Sequence, residues 1–143
     1  MHFVTSVEIA APPDRVWRIL ADIDHWPDMS PSITRVERVD PAPLSAGARV
    51  RIKQPRMAAM TWRVTEFEPG RSFEWQATNP GIVTVGTHEL QATATGTEVT
   101  LGITHSGPLA PIIGRLTAGR TRRYVGMEAA GLKRLSEADS EGS

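Results

Sequence analysis

Hydrophobic positions along this chain follow two periods. Through most of the first hundred residues they recur at every second position, the spacing of a strand with one buried face; from residue 107 onward they recur every three or four, the spacing of a helix. Phe3, Thr5, Val7 and Ile9 alternate with His2, Val4, Ser6 and Glu8, which predicts an opening strand. Pro12 and Pro13 end it and start a short helix, with Val16, Trp17 and Leu20 on one face and Asp14, Arg15 and Arg18 on the other. The segment IDHWPDMSP is too rich in Pro and Asp to continue that helix. It predicts a further short helical turn or loop, with Trp26 packed inward. Residues 33–39 and 48–54 read as strands flanking the turn-prone DPAPLSAG, and Val50, Ile52 and Gln54 share a face of the second.

Two hairpins follow, each with a register set by its apolar positions. With Pro69 and Gly70 at the turn, Val64 stands opposite Trp75 and Trp62 opposite Ala77, and Phe73 joins the same face. Glu66 is phased inward near that turn. With Gly96 and Thr97 at the second turn, Ala94 pairs with Val99, Ala92 with Leu101, Leu90 with Ile103, and His88 with His105. All the apolar pairs then fall on one face, and a slip of one residue would move them to the other. This register sets two histidines opposite each other on the inward face.

Residues 107–138 predict one long helix. Its stripe runs through Leu109, Ile112, Ile113, Leu116, Tyr124, Met127, Gly131 and Leu135, with Pro108 and Pro111 at its entry and Lys133 and Arg134 near its end, where cations suit the helix dipole. Gly114, Ala118, Gly119, Gly126 and Gly131 weaken it but permit close approach of a ligand or another backbone. A helix of this kind needs a partner for its stripe. An opening strand, short helices, then about six strands joined mostly by hairpins and a long helix signal an α+β fold whose antiparallel sheet receives that helix.

Composition narrows the function. A length of 143 residues fits one domain able to build a core without metals or disulfides, and the absence of cysteine removes thiol chemistry. Sixteen basic residues balance sixteen acidic ones, which argues against a dedicated nucleic-acid binder; the arginines at 115, 120, 122 and 123 read as a solvated face. The N-terminal residues are strand-like rather than signal-like, and no apolar run reaches the roughly 20 residues of a membrane span. A cytoplasmic protein without integral membrane association is expected, monomeric or weakly dimeric. The domain is expected over residues 1–136, with a disordered tail at 137–143. No phosphate loop, GxGxxG or GxSxG pattern occurs, and inward carboxylates are scarce, so phosphate-loop chemistry, an elbow serine and a paired-carboxylate mechanism all lack support.

The stretches AAPPDRVWRILADIDHWPDMSP, TWRVTEFEPGRSFEW and THELQATATGTEVTLGITHSGPLAPIIGRL together resemble the START-like superfamily over residues 2–136. That helix-grip group includes the polyketide cyclase/dehydrase and lipid-transport family and the Bet v 1 proteins. The resemblance implies a curved antiparallel sheet of seven strands wrapped around the long C-terminal helix, with two short helices after the first strand. It also implies a cavity for a hydrophobic or amphipathic small molecule.

Phasing supplies the expected lining of that cavity. Gln54, Met60, Trp62, Val64, Phe73, Trp75, Leu90 and Ile103 come from the sheet; Ile113, Leu116, Arg120, Tyr124 and Met127 come from the helix. His88 and His105 are candidates for acid–base work or for a hydrogen-bonded core pair, and two histidines alone do not make a zinc site. Tyr124 is a third acid–base candidate or an amphipathic core residue. Arg120 either meets a ligand oxygen or snorkels to the rim. No metal and no cofactor is expected. The leading expectation is a small-molecule binding protein; the alternatives are a polyketide cyclase, aromatase or dehydratase using these polar residues, and a protein-interaction module.

Overall fold

The computed structural model describes residues 2–41 and 43–138. Its elements are β1 (His2–Ile9), α1 (Pro13–Ala21), a 3-10 turn (Ile23–His25), α2 (Trp26–Met29), β2 (Arg35–Arg38), β3 (Arg49–Lys53), β4 (Met60–Glu68), β5 (Ser72–Asn79), β6 (Ile82–Ala92), β7 (Thr97–Ser106) and α3 (Ala110–Ala138). The strands form one seven-stranded antiparallel sheet in the order β1-β7-β6-β5-β4-β3-β2. β1 and β2 are neighbours in sequence but occupy opposite edges, and the segment carrying α1 and α2 makes that crossing. This is the helix-grip architecture expected above. β5 and β6 are joined by a hairpin that closes tightly enough at Pro80 and Gly81 for Asn79 to pair with Ile82.

Alternation decides which face of the sheet is buried. Val50, Ile52, Trp62, Val64, Phe73, Trp75, Ala77, His88, Leu90, Val99 and Leu101 all point to one side and are buried there. Against them lie Val16 and Leu20 of α1, Trp26 and Met29 of α2, and Val125, Ala129 and Leu132 of α3. The buried Trp26 indole N–H donates to the Leu20 carbonyl at 3.0 Å, so this large side chain enters the core without an orphan donor.

The far end of α3 is tied down by its own side chains and by α1. Arg15 Nε donates to the Ser136 carbonyl at 2.6 Å, Lys133 Nζ to the Glu8 carbonyl at 3.0 Å, and Ala10 N–H to Glu137 Oε2 at 2.8 Å. Arg134 reaches the Met29 carbonyl at the end of α2. Gly131 is the closest approach: a Cβ there would stand 1.9 Å from the Met29 carbonyl oxygen, so α3 can cross α2 at this height only with glycine. The helix runs two residues past the expected domain end at 136, to Ala138; the rest of the expected tail lies outside the described residues. At its start, residues 107–109 form a turn held by Leu109 N–H on the Gly81 carbonyl, so Pro111 alone sits in the first helical turn.

The β4–β5 register is the expected one up to a bulge near its turn, whereas the β6–β7 register departs from expectation. In β4–β5, Val64 faces Trp75 as expected, but a bulge between Val64 and Glu66 shifts the half nearest the turn. Phe67 therefore faces Phe73 and packs against Trp17 with ring centroids 5.6 Å apart, while Glu66 is exposed rather than inward. In β6–β7, residues 93–96 form the loop, with Thr93 N–H bonded to the Gly96 carbonyl. Leu90 consequently faces Val99, His88 faces Leu101 and His105 faces Thr84, so the two histidines are not cross-strand partners. Displacement by an even number of residues keeps every side chain on its face, so alternation cannot distinguish the two registers. What selects the observed one is contact with β1: Gly96 lies so close to the chain at Ile9 that a Cβ would come within 2.0 Å of its carbonyl oxygen.

Candidate functional site

The cavity lies between α3 and the middle of the sheet. α3 packs on β1, β7, α1 and α2, and across from it β3 to β6 curve away, leaving a space of about 150 Å³ inside a cleft of about 900 Å³ including its mouth. Ten residues expected at the site line it: Gln54, Met60, Trp62, Trp75 and Ile103, with His88 and His105, from the sheet side, and Ile113, Arg120 and Tyr124 from the helix. Five do not. Val64, Phe73 and Leu90 are sealed within the core behind the wall. Met127 is half-buried outside the lining, and Leu116 is 79% exposed.

The helix is rotated relative to the predicted stripe, which explains the misplacement of Leu116. Leu109, Ile112 and Leu116 are all exposed, whereas Ile113, Thr117, Thr121, Tyr124, Val125 and Glu128 face the cavity. Leucine and isoleucine drew the stripe to the wrong side of the N-terminal half. The threonines facing the cavity carry too little hydrophobicity to mark a face by themselves.

The aromatic wall is built from strand positions that share the inward face. Trp75 is its hub, with ring centroids 5.2 Å from Trp26, 5.6 Å from Trp62 and 5.4 Å from His88. His88 stacks on Phe73 at 4.0 Å and 10°. Its Nδ1 lies 3.3 Å from the Phe73 carbonyl. A carbonyl only accepts, so Nδ1 carries the proton and Nε2 is left as an acceptor. Burial pushes this imidazole down to about 4, against a smaller upward effect of the Phe73 hydrogen bond. His88 is therefore a neutral ring at physiological pH. Burial lowers His105 as well.

Tyr124 donates its hydroxyl to the Pro55 carbonyl at 2.8 Å. That bond ties α3 to the loop after β3. Lys53 Nζ orders the same loop by donating to the carbonyls of Gln54 and Met57, and the loop carries Met57 to the cavity wall. Tyr124 is thus a positioning group in this structure. The arginines at 115, 122 and 123 are exposed, but Arg120 is half-buried and lines the cavity.

Glu128 is the residue that pattern reasoning passed over. It lines the cavity one turn beyond Tyr124, and burial raises its carboxyl to about 7. A signal for it was present in the sequence: it is the only acidic residue between 99 and 136, and it continues the spacing of Arg120 and Tyr124. Among the described residues no three histidines, cysteines or carboxylates converge on a point where a metal could bind. The chemistry the walls do support is apolar enclosure, two imidazoles of which His88 is a neutral acceptor, one carboxyl able to exchange a proton near neutrality, and one guanidinium.

Comparison with known proteins agrees with this architecture. Residues 1–137 match the family model for polyketide cyclase / dehydrase and lipid transport. No curated protein matches the sequence. Among solved structures, a hypothetical protein of Helicobacter pylori superposes with a TM-score of 0.83 at 14% identity, covering 96% of this chain and 88% of that one. The Zhui aromatase/cyclase of Streptomyces sp. R1128 superposes with a TM-score of 0.78 at 19% identity, covering 97% and 94%. The di-domain aromatase/cyclase BexL gives 0.69 at 22%, with 94% of this chain over 45% of that one. At these identities the likeness is one of fold.

Proposed function

Since the chain belongs to the polyketide cyclase / dehydrase and lipid transport family, we propose that it binds a hydrophobic or amphipathic small molecule between the sheet and α3. The observation that carries this reading is the lining. Trp26, Trp62, Trp75, Met57, Met60 and Ile113 give the space walls that are mostly apolar in area, set among threonines and the polar heads of His88, His105, Arg120, Tyr124 and Glu128. The cavity, about 150 Å³, suits a ring-sized portion of a ligand. Native mass spectrometry of the purified protein, followed by solvent extraction, tests the reading together with titration of the neutral dye N-phenylnaphthylamine. A stoichiometric apolar molecule, or saturable dye binding that Trp62→Ala weakens, is the expected result. A protein that is empty and takes up no dye overturns it.

A catalytic reading, as a cyclase, aromatase or dehydratase, is favoured by one arrangement in the same cavity. Between about pH 4 and 7 His88 is a neutral acceptor while Glu128 still holds its proton. An acid and a base that coexist near neutral pH are what enolisation and dehydration of a poly-β-ketone require. If the protein is such an enzyme, Glu128→Gln and His88→Gln abolish turnover of a poly-β-ketone mimic yet keep dye binding. If it is a carrier, no turnover is seen in the unmodified protein.

A further inference from the structure

Three polar side chains cross the helical wall of the cavity in a row. Arg120, Tyr124 and Glu128 follow one another at four-residue spacing on α3, and all three line the cavity, so they lie along one helical face. The middle one is engaged, its hydroxyl on the Pro55 carbonyl. The outer two are not: among the described residues neither Arg120 nor Glu128 has a hydrogen bond or an ion pair. Two helical turns, about 12 Å along the axis, separate them, too far for each to satisfy the other. Both side chains are half-buried, so each carries part of a desolvation cost that nothing in the protein offsets.

We infer that the ligand is an elongated, largely apolar acid with a hydroxyl at its far end, its carboxylate held by Arg120 and its hydroxyl by Glu128. This rests on the binding reading above and names the chemistry of the molecule bound. The planar guanidinium fork matches a carboxylate with two parallel hydrogen bonds. Trp62 and Trp75 add broad apolar surface to the same cavity, which suits a ring system or a short chain. At the other end, a hydroxyl fits better than an ammonium. Burial keeps Glu128 neutral up to about pH 7, and a neutral carboxyl both donates to and accepts from a hydroxyl. An ammonium would require a charged pair against the apolar wall.

The probes are naphthoic acid, naphthol, and a naphthoic acid bearing a hydroxyl at the opposite end of its ring system, with affinities read by calorimetry at about pH 6. The two-ended molecule is expected to bind about tenfold more tightly than either one-ended molecule, the worth of one good polar contact. Glu128→Leu should erase the advantage over naphthoic acid, and Arg120→Met the advantage over naphthol. Each variant should still bind N-phenylnaphthylamine, which shows that its cavity is intact. The inference is overturned if the dye binds but the three probes bind alike, or if the hydroxyl's advantage survives in Glu128→Leu. If the unmodified protein binds neither dye nor probes, the binding reading itself has failed.

Discussion

Glu128 and His88 titrate in opposite senses within one cavity, and the consequences for stability can be worked out separately. The folded-state value of Glu128, about 7, lies above its ordinary 4.5. Its contribution to stability is therefore whole below about pH 4.5 and is lost as pH rises through 7, by up to about 3 kcal/mol. The folded-state value of His88, about 4, lies below its ordinary 6.5. The stability it supports is present above about pH 6.5 and is lost as pH falls through 4. Glu128→Gln removes the first dependence and leaves the second. Its melting temperature should exceed that of the unmodified protein at about pH 8 and match it within error at about pH 4.5, and thermal unfolding across that range checks this. An offset of equal size at both ends would mean that the carboxyl titrates as if in water. Tyr124→Phe is a milder change: losing the bond to Pro55 should cost about 1 kcal/mol in urea unfolding. Of these residues, His88 and Tyr124 stood out in the sequence as inward polar groups on apolar faces. Glu128 did not, because its environment is supplied by strands and loops far from it in sequence.

At the scale of elements, α3 separates what periodicity reveals from what it hides. Its existence, length and late small residues follow from the pattern, and Gly131 is the close approach that those small residues suggest. Replacing Gly131 by Ala drives a methyl group into the Met29 carbonyl and should destabilise the protein by about 2 kcal/mol or more. Gly126→Ala, where a Cβ meets nothing, should stabilise it by about 0.5 kcal/mol or more through helix propensity. Chemical unfolding of the two variants side by side gives the contrast. The rotation of the helix has a similar test. Leu132→Ala, at the core, should cost about 2–5 kcal/mol, while Leu116→Ser should change stability by no more than about 0.5 kcal/mol. A large cost at Leu116 would restore the face that its hydrophobicity suggests. The β6–β7 hairpin holds the same lesson in strand form. Alternation assigned His88, Leu90, Val99 and Leu101 to the inner face correctly, yet paired them wrongly, because the loop at 93–96 packs on β1 and sets the register from outside the hairpin.

For the whole molecule, the sheet and α3 enclose a space that neither borders alone, so occupancy and stability are linked. Saturating the cavity with N-phenylnaphthylamine at a hundredfold excess over its Kd should raise stability by about 2.7 kcal/mol. A dye bound only to an exposed patch that persists on unfolding would give no such rise. The sequence by itself determined the α+β class, the inward face of nearly every strand, the long C-terminal helix and the family resemblance. These follow from periods of two and of three to four residues, which are local properties of the chain. The tertiary structure alone decided the bulge in β4, the register of β6 on β7, the rotation of α3 and the placing of Arg120, Tyr124 and Glu128 along one wall. Each depends on what packs against the segment from a distance: Trp17 on Phe67, Ile9 on Gly96 and Met29 on Gly131. Periodicity cannot carry that information, because it sees how a side chain is phased and not what it meets.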